Sequence, residues 1–241
     1  IGSCRYGFSA ASATLGDGLG SGGWTVFVDQ AFWDVSGLWA FDHTLIHELG
    51  HNLGLHHAGS IDDWDCEYLD EPMFTAIEKC GFQEYGDYMS PMGAMTINGA
   101  GDVNETAALD AYRRDALGVM PAGTVAEQSG ASTATYTLGT LGVGTGTQAI
   151  KVTGPTSGKE YYIEYRTGAG EETAYQFQYP DSEIVRVTEV LGGGLSEWSP
   201  VRLNSVDSRI DLNLKAGAAW SNVAGDVHLK VNSNGSSSAN V

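Results

Sequence analysis

Basic residues are scarce: 12 Lys+Arg stand against 30 Asp+Glu in 241 residues, a formal net charge of −18. Phosphate contacts need clustered Lys and Arg, so this balance argues against a nucleic-acid partner. No run of about 18 apolar residues occurs, so no membrane-spanning helix is expected. Cysteine is sparse and odd in number: Cys4, Cys66 and Cys80 leave one thiol over, or paired outside this chain. The chain opens at Ile1 without an initiator Met, a charged n-region or an apolar h-region. That is how a mature or trimmed product begins, so a removed pro-segment joins the expected partners.

What is present points to a folded protein. A hydrophobic fraction of 42% and an aromatic fraction of 10% argue against disorder. The length is ample for a hydrophobic core, in one large domain or in a medium one plus a small one. The acid excess is uneven. Residues 1–120 hold 18 acids and four bases (Arg5, Lys79, Arg113, Arg114), whereas residues 121–241 hold 12 acids and eight bases. Such asymmetry suggests two units with different surfaces. Solubility is the plain reading of the excess; cation binding, calcium included, is the sharper one.

Local patterns divide the chain in the same place. Trp24-Thr25-Val26-Phe27-Val28 reads as a buried strand, and residues 42–53 read as a helix ended by Gly54. A second helix is expected over 104–117, capped by Asn104, with Leu109, Tyr112, Ala116 and Leu117 near a 3.6 period. Gly118 and Pro121 stop it. Beyond a small, polar stretch from Pro121 to Ser132 come short β runs at 134–138, 149–152, 161–165, 184–190, 210–214 and 227–231. Spacing of this kind suggests a sandwich or barrel. The expected division is therefore 1–121 and 122–241.

The chemistry is concentrated in His47-Glu48-Leu49-Gly50-His51-Asn52-Leu53-Gly54-Leu55-His56-His57. On a helix, His47 and His51 differ by about 400° of rotation, so both imidazoles leave one face a turn apart. That geometry lets two nitrogens grip one Zn²⁺ at about 2.0–2.1 Å. Glu48 sits beside them, poorly placed as a ligand but able to act as general base toward a zinc-bound water. The third ligand must come from beyond the helix, because position 55 lies about 12 Å from His47 along it. Gly54 can turn the chain back. His57 lies three residues after that Gly and is the expected third ligand, with adjacent His56 as the competitor. His43 lies on the face of His47, but the span from His43 to His51 is again about 12 Å, so it reads as structural or supporting.

This eleven-residue motif resembles that of the metzincin zinc endopeptidases. Tyr88-Met89-Ser90-Pro91-Met92-Gly93 fits the Met-turn of that family, with Met92 as the favoured methionine and Met89 as the alternative. The text around His47–Gly59, Tyr85-Gly86-Asp87…Met92-Gly93 and Arg113…Leu117-Gly118 is most similar to the gametolysin branch. Tyr161-Tyr162-Ile163-Glu164-Tyr165-Arg166 resembles a strand found downstream in related secreted peptidases. The resemblance is specific over about 41–60, fair over 85–120 and weak elsewhere. It implies an α+β class: a metzincin-like catalytic domain over 1–121, followed by an all-β, sandwich-like C-terminal domain over 122–241.

The resemblance further implies a secreted, extracellular endopeptidase that hydrolyses peptide bonds in proteins or peptides. Zinc would be held by His47, His51 and His57, with Glu48 as general base. The pattern departs from the family in two places. Ala94 stands where some metzincins carry a Tyr, leaving Tyr85, Tyr88 and His56 as candidate oxyanion donors. Only 46 residues precede His47, so part of the upper sheet and a backing helix is expected to be missing, rearranged or supplied by a separate fragment.

The loop Asp62-Asp63-Trp64-Asp65-Cys66-Glu67…Asp70-Glu71 gathers six acids in ten residues. Carboxylate oxygens suit Ca²⁺, though the EF-hand pattern is absent and a solvated acidic loop is the simpler reading. Beside it, Cys66 and Cys80 lie 14 apart in a segment rich in turn formers, and an oxidising compartment would pair them. Closing that loop is worth about 3 kcal/mol in the chain-entropy model. Peptide mapping without reduction should recover a Cys66–Cys80 peptide; a disulfide peptide containing Cys4 would overturn the pairing.

Overall fold

The structure, a computed structural model, describes residues 11–13, 23–25, 46–47, 49–51, 53–55, 57–61, 82–83, 87, 90–93, 108–143, 145–168, 183–190, 201–203, 214–222 and 224–241. Cys4, Cys66, Cys80, Asn104 and the acidic loop at 62–71 lie outside these residues.

Among the described residues the chain is mostly β. Strands β1 (Ala11–Ala13) and β2 (Gly23–Thr25) form an antiparallel pair, as do β3 (Ser60–Ile61) and β4 (Phe82–Gln83). The main sheet has five strands in the order β10-β9-β8-β7-β5, built from β5 (Val125–Ser129), β7 (Ala149–Thr153), β8 (Glu160–Arg166), β9 (Ile184–Val190) and β10 (Val201–Leu203). It is mixed, since β5 runs parallel to β7 and the other pairs are antiparallel. Two smaller sheets complete the set. One pairs β11 (Ala219–Ser221) with β12 (His228–Lys230). The other orders β13 (Ser233–Gly235), β14 (Ser238–Asn240) and β6 (Thr137–Gly139) as β13-β14-β6.

This corrects the expected fold class. Among the described residues helix is confined to a short stretch around His47–His51 and to Ala111–Ala116, and the main sheet is mixed. An α+β metzincin-like domain followed by an all-β sandwich does not describe it. The second helix shows why periodicity misled. Its N-cap is Asp110, whose side chain accepts a hydrogen bond from the Arg113 N–H at 2.9 Å. The helix thus starts six residues later than a cap at Asn104 would place it, with Leu109 ahead of the cap. Of the expected β runs, 184–190 coincides with β9, while 149–152 and 161–165 fall within β7 and β8.

The two faces of the sheet carry different chemistry, because strand side chains alternate. Tyr161, Ile163 and Tyr165 of β8 join Val185 and Val187 of β9 in one apolar core. Val227, Leu229, Val231 and Ala239 close that core from the smaller sheets, and Trp220 packs on Tyr161 with ring centroids 5.3 Å apart. Trp220 thus works in packing. The other face presents Tyr162, Glu164 and Arg166 from β8 and Arg186 from β9, opposite Glu164 in register. All four are buried. Here Glu164 accepts from Arg166 Nε at 2.6 Å and from the Ala111 N–H at 2.6 Å, while Arg186 Nη2 donates to Asp87 at 2.9 Å. These bonds join the sheet to the helix Ala111–Ala116 and to the segment around Asp87.

A separate carboxylate braces the turns at the edge of the apolar core. Asp226 Oδ2 accepts from the Thr156 and Ser157 N–H groups, both at 2.7 Å, and Oδ1 accepts from Asn222 Nδ2 at 2.6 Å. Desolvation works upward on this carboxyl, but the hydrogen bonds from Asn222, Ser157 and Thr156 outweigh it and hold its pKa at about 2, below the usual 3.8. A depressed folded-state pKa adds stability that is complete above the usual value and is lost as pH falls toward the depressed one. Between pH 4 and pH 2, wild-type stability to urea should therefore fall more steeply than that of Asp226→Asn. Equal slopes across that window would contradict the brace.

Candidate metal centre

His47 and His51 stand one helical turn apart on a stretch that ends at Gly54. The Leu55 N–H donates to the Gly50 carbonyl and the Gly54 N–H to that of His51, both at 3.0 Å, with Gly54 at φ +86°. This is a glycine C-cap of the Schellman type. It reverses the chain within three residues of His57, as the spacing of the motif requires.

The three imidazoles meet. Nε2 of His51 lies 3.1 Å from Nε2 of His47 and 3.0 Å from Nε2 of His57. The ligand atoms of the trio all lie within 4.8 Å of one another. Two backbone carbonyls decide what these nitrogens carry. His47 Nδ1 lies 2.9 Å from the Pro91 oxygen and His51 Nδ1 lies 2.8 Å from the Leu55 oxygen. A carbonyl only accepts, so each Nδ1 carries a proton, and with the second nitrogen deprotonated each ring would turn an Nε2 lone pair toward the other. Lone pairs facing each other at that distance repel unless a positive charge lies among them. Nitrogens 2.0–2.1 Å from a tetrahedral Zn²⁺ would stand about 3.3 Å apart. The trio could thus hold a metal ion. His47 is buried, while His51 and His57 are half-buried and leave the cluster accessible.

A second segment supports the cluster from below. Met92 is fully buried and lies under Gly50, where an added Cβ would stand 2.3 Å from its sulfur. A side chain at position 50 would press on that sulfur and oblige the methionine to shift. Leu55, Ala58 and Met92 form a small apolar cluster, with Leu109 and Leu117 against it. Met92 thus lies against Gly50, which falls between His47 and His51 in the chain, and the residue before Met92 supplies the carbonyl beside His47 Nδ1.

The polypeptide after His57 is pinned to this segment. The Ala58 N–H donates to the Met92 oxygen at 2.7 Å, and the Asp87 N–H donates to the Ala58 oxygen at 3.0 Å. The His57 oxygen accepts from Arg113 Nη2 at 2.9 Å. Arg113 is held by both oxygens of buried Asp110. Burial would raise the Asp110 carboxyl, yet Arg113, its backbone N–H, Arg186 and Arg166 prevail and keep it ionised below its usual range.

The chain matches no model of a protein family, no curated protein and no solved structure. The metal centre therefore rests on its own geometry and on the motif.

His43, Glu48, His56, Tyr85, Tyr88, Met89 and Ala94 lie outside the described residues. Sequence reasoning missed the Pro91 and Leu55 carbonyls, which carry no residue-type signal at all. It also missed Asp87 and Asp110 as buried anchors. Their signal was indirect: an Arg-Arg pair three and four residues after Asp110, and Arg186 set between Val185 and Val187 in β9.

The turn over 87–93 admits one change that isolates it. A Cβ on Gly93 would lie 1.8 Å from the Asp87 carbonyl oxygen, a clash with backbone that no rotamer relieves. Gly93→Ala should cost about 1–3 kcal/mol, typical of overpacking. It should also weaken metal binding, because Pro91 and Met92 move with the turn. Thermal unfolding and metal titration check both effects; unchanged metal affinity would separate the turn from the centre.

Proposed function

We propose that this chain is a zinc-dependent endopeptidase of the metzincin type, secreted and acting on protein or peptide substrates outside the cell. One observation carries the reading. Three imidazole Nε2 atoms converge, two with their tautomer set by a backbone carbonyl, on a stretch spelled H-E-x-x-H-x-x-G-x-x-H. Three protein nitrogens with an accessible side fit a catalytic site, whereas a structural zinc site takes four protein ligands.

His47, His51 and His57 would hold the ion through Nε2. Zn²⁺ bound there supplies Lewis-acid polarisation of a carbonyl and makes water acidic enough to ionise near neutral pH. Glu48 does the proton work. On an ideal helix the residue directly after His47 would be turned about 100° from that ligand, from where a carboxylate could serve a water molecule beside the site. Its carboxylate takes a proton from that water and later passes it to the departing amine. The Pro91 and Leu55 carbonyls accept from Nδ1 of His47 and His51, so that each ring would offer its Nε2 to the ion. Calcium is a second candidate cation, at the acidic residues 62–71.

Cleavage of an unfolded protein substrate should stop on addition of a zinc chelator and return with Zn²⁺. Glu48→Gln should retain its zinc and its melting temperature while losing about 10²–10⁴-fold in turnover. Near-normal turnover by zinc-loaded Glu48→Gln would place the base elsewhere. Chelator-insensitive cleavage would sink the zinc mechanism, and zinc binding without cleavage of any substrate would mark a metal-stabilised scaffold.

A further inference from the structure

We propose that Arg113, fixed by Asp110, is a positioning residue for the third ligand, His57, and thereby sets the affinity of the centre for its metal. The proposal rests on the three-histidine metal reading above and adds a residue to it from a distant part of the chain.

The argument starts from one peptide unit. The bond between His57 and Ala58 is planar, so the His57 carbonyl and the Ala58 N–H turn together. Arg113 Nη2 donates to that carbonyl at 2.9 Å, and that N–H donates to the Met92 oxygen at 2.7 Å. Both polar ends of a single plane are therefore held, from two segments far apart in sequence. The plane cannot rotate without breaking one bond or the other. On the upstream side the chain is held only as far as Leu55, whose N–H donates to the Gly50 oxygen at 3.0 Å and whose oxygen lies 2.8 Å from His51 Nδ1. The downstream plane carries the His57 carbonyl itself and so anchors the imidazole, whose Nε2 lies 3.0 Å from that of His51.

Arg113 suits this task because it is itself immobile. Its side chain is 2% exposed. Its Nη1 donates to Asp110 Oδ2 at 2.5 Å, and its own N–H donates to Oδ1 at 2.9 Å. One face of the guanidinium fork serves the carboxylate while Nη2 serves His57. A lysine ammonium is a point charge on a flexible stem and cannot reproduce that fork.

Zn²⁺ affinity, measured by competition with a chromogenic chelator, tests the proposal in a double-mutant cycle. Arg113→Lys should bind Zn²⁺ about 10–100-fold more weakly than wild type, the usual effect of losing support behind a ligand. In a His57→Ala background the same change should cost less than about twofold, since the group being aimed is gone. The Co²⁺-loaded Arg113→Lys protein should show d–d bands displaced toward those of His57→Ala. Wild-type affinity in Arg113→Lys would overturn the proposal, and so would an equal loss in both backgrounds, which would mean a general effect on folding. If Arg113→Lys does not fold, Asp110→Asn keeps an oxygen for the cap, releases the guanidinium, and enters the same cycle with the same expectations. Should His57→Ala alone bind Zn²⁺ as tightly as wild type, the three-histidine centre falls and this proposal with it. Weakened His57→Ala beside an unaffected Arg113→Lys overturns the positioning role only.

Discussion

A sealed set of charges behind the main sheet is the constraint on which the rest of the structure depends. Arg113, Arg166 and Arg186 lie there with Asp87, Asp110 and Glu164, and all six are buried. Desolvating six such groups is costly, and buried ion pairs seldom repay that cost as net stability. What they contribute is definition. A guanidinium and a carboxylate satisfy each other in few geometries, so every segment bearing one of them has its place dictated. Through Glu164 the sheet holds the start of the helix Ala111–Ala116. Through Arg186 it holds the segment at Asp87. Through Arg113 the helix in turn holds the backbone beside His57.

The three-histidine cluster is the meeting point of segments that the charge set has already located. A capped helical turn brings His47 and His51, a glycine reversal brings His57, and the 87–93 turn lies underneath. None of these is large enough to be stable alone, since short helices in water are marginal. Their order comes from tertiary anchoring. The division of labour is physical: the apolar face of the sheet supplies burial, while its opposite face supplies orientation.

How much of this could be read from the sequence depended on whether the responsible signal was local. The histidine trio was legible because its spacing is a property of one helix and one glycine, and Gly54 does what such a residue does at a helix end. Met92 was legible through its neighbours Pro91 and Gly93. Strands β7, β8 and β9 were legible through their runs of Ile, Val and Tyr. The fold class was not. It turned on how the sheets are ordered and on a parallel pairing of β5 with β7, and no residue in either strand announces its partner. The helix near 104–117 was misjudged for a related reason, because Leu109 continues the period while standing outside the helix. The buried charges were hidden by a habit of inference: Glu, Asp and Arg are ordinarily surface residues, and only their mutual arrangement makes burial tolerable.

The enclosure of those charges divides the electrostatics of the molecule into two populations that answer differently to dissolved salt. The chain as a whole carries a formal −18, and wherever such charge meets water mobile cations can crowd against it and mute its self-repulsion. No mobile ion enters the space between Arg186 and Asp87, or between Arg113 and Asp110, so those attractions keep their strength in brine. Concentrated electrolyte thus relieves repulsion among charges that meet water and leaves the enclosed bonds around Arg113 and Arg186 untouched. A protein built this way has its working geometry insulated from the ionic strength of its surroundings.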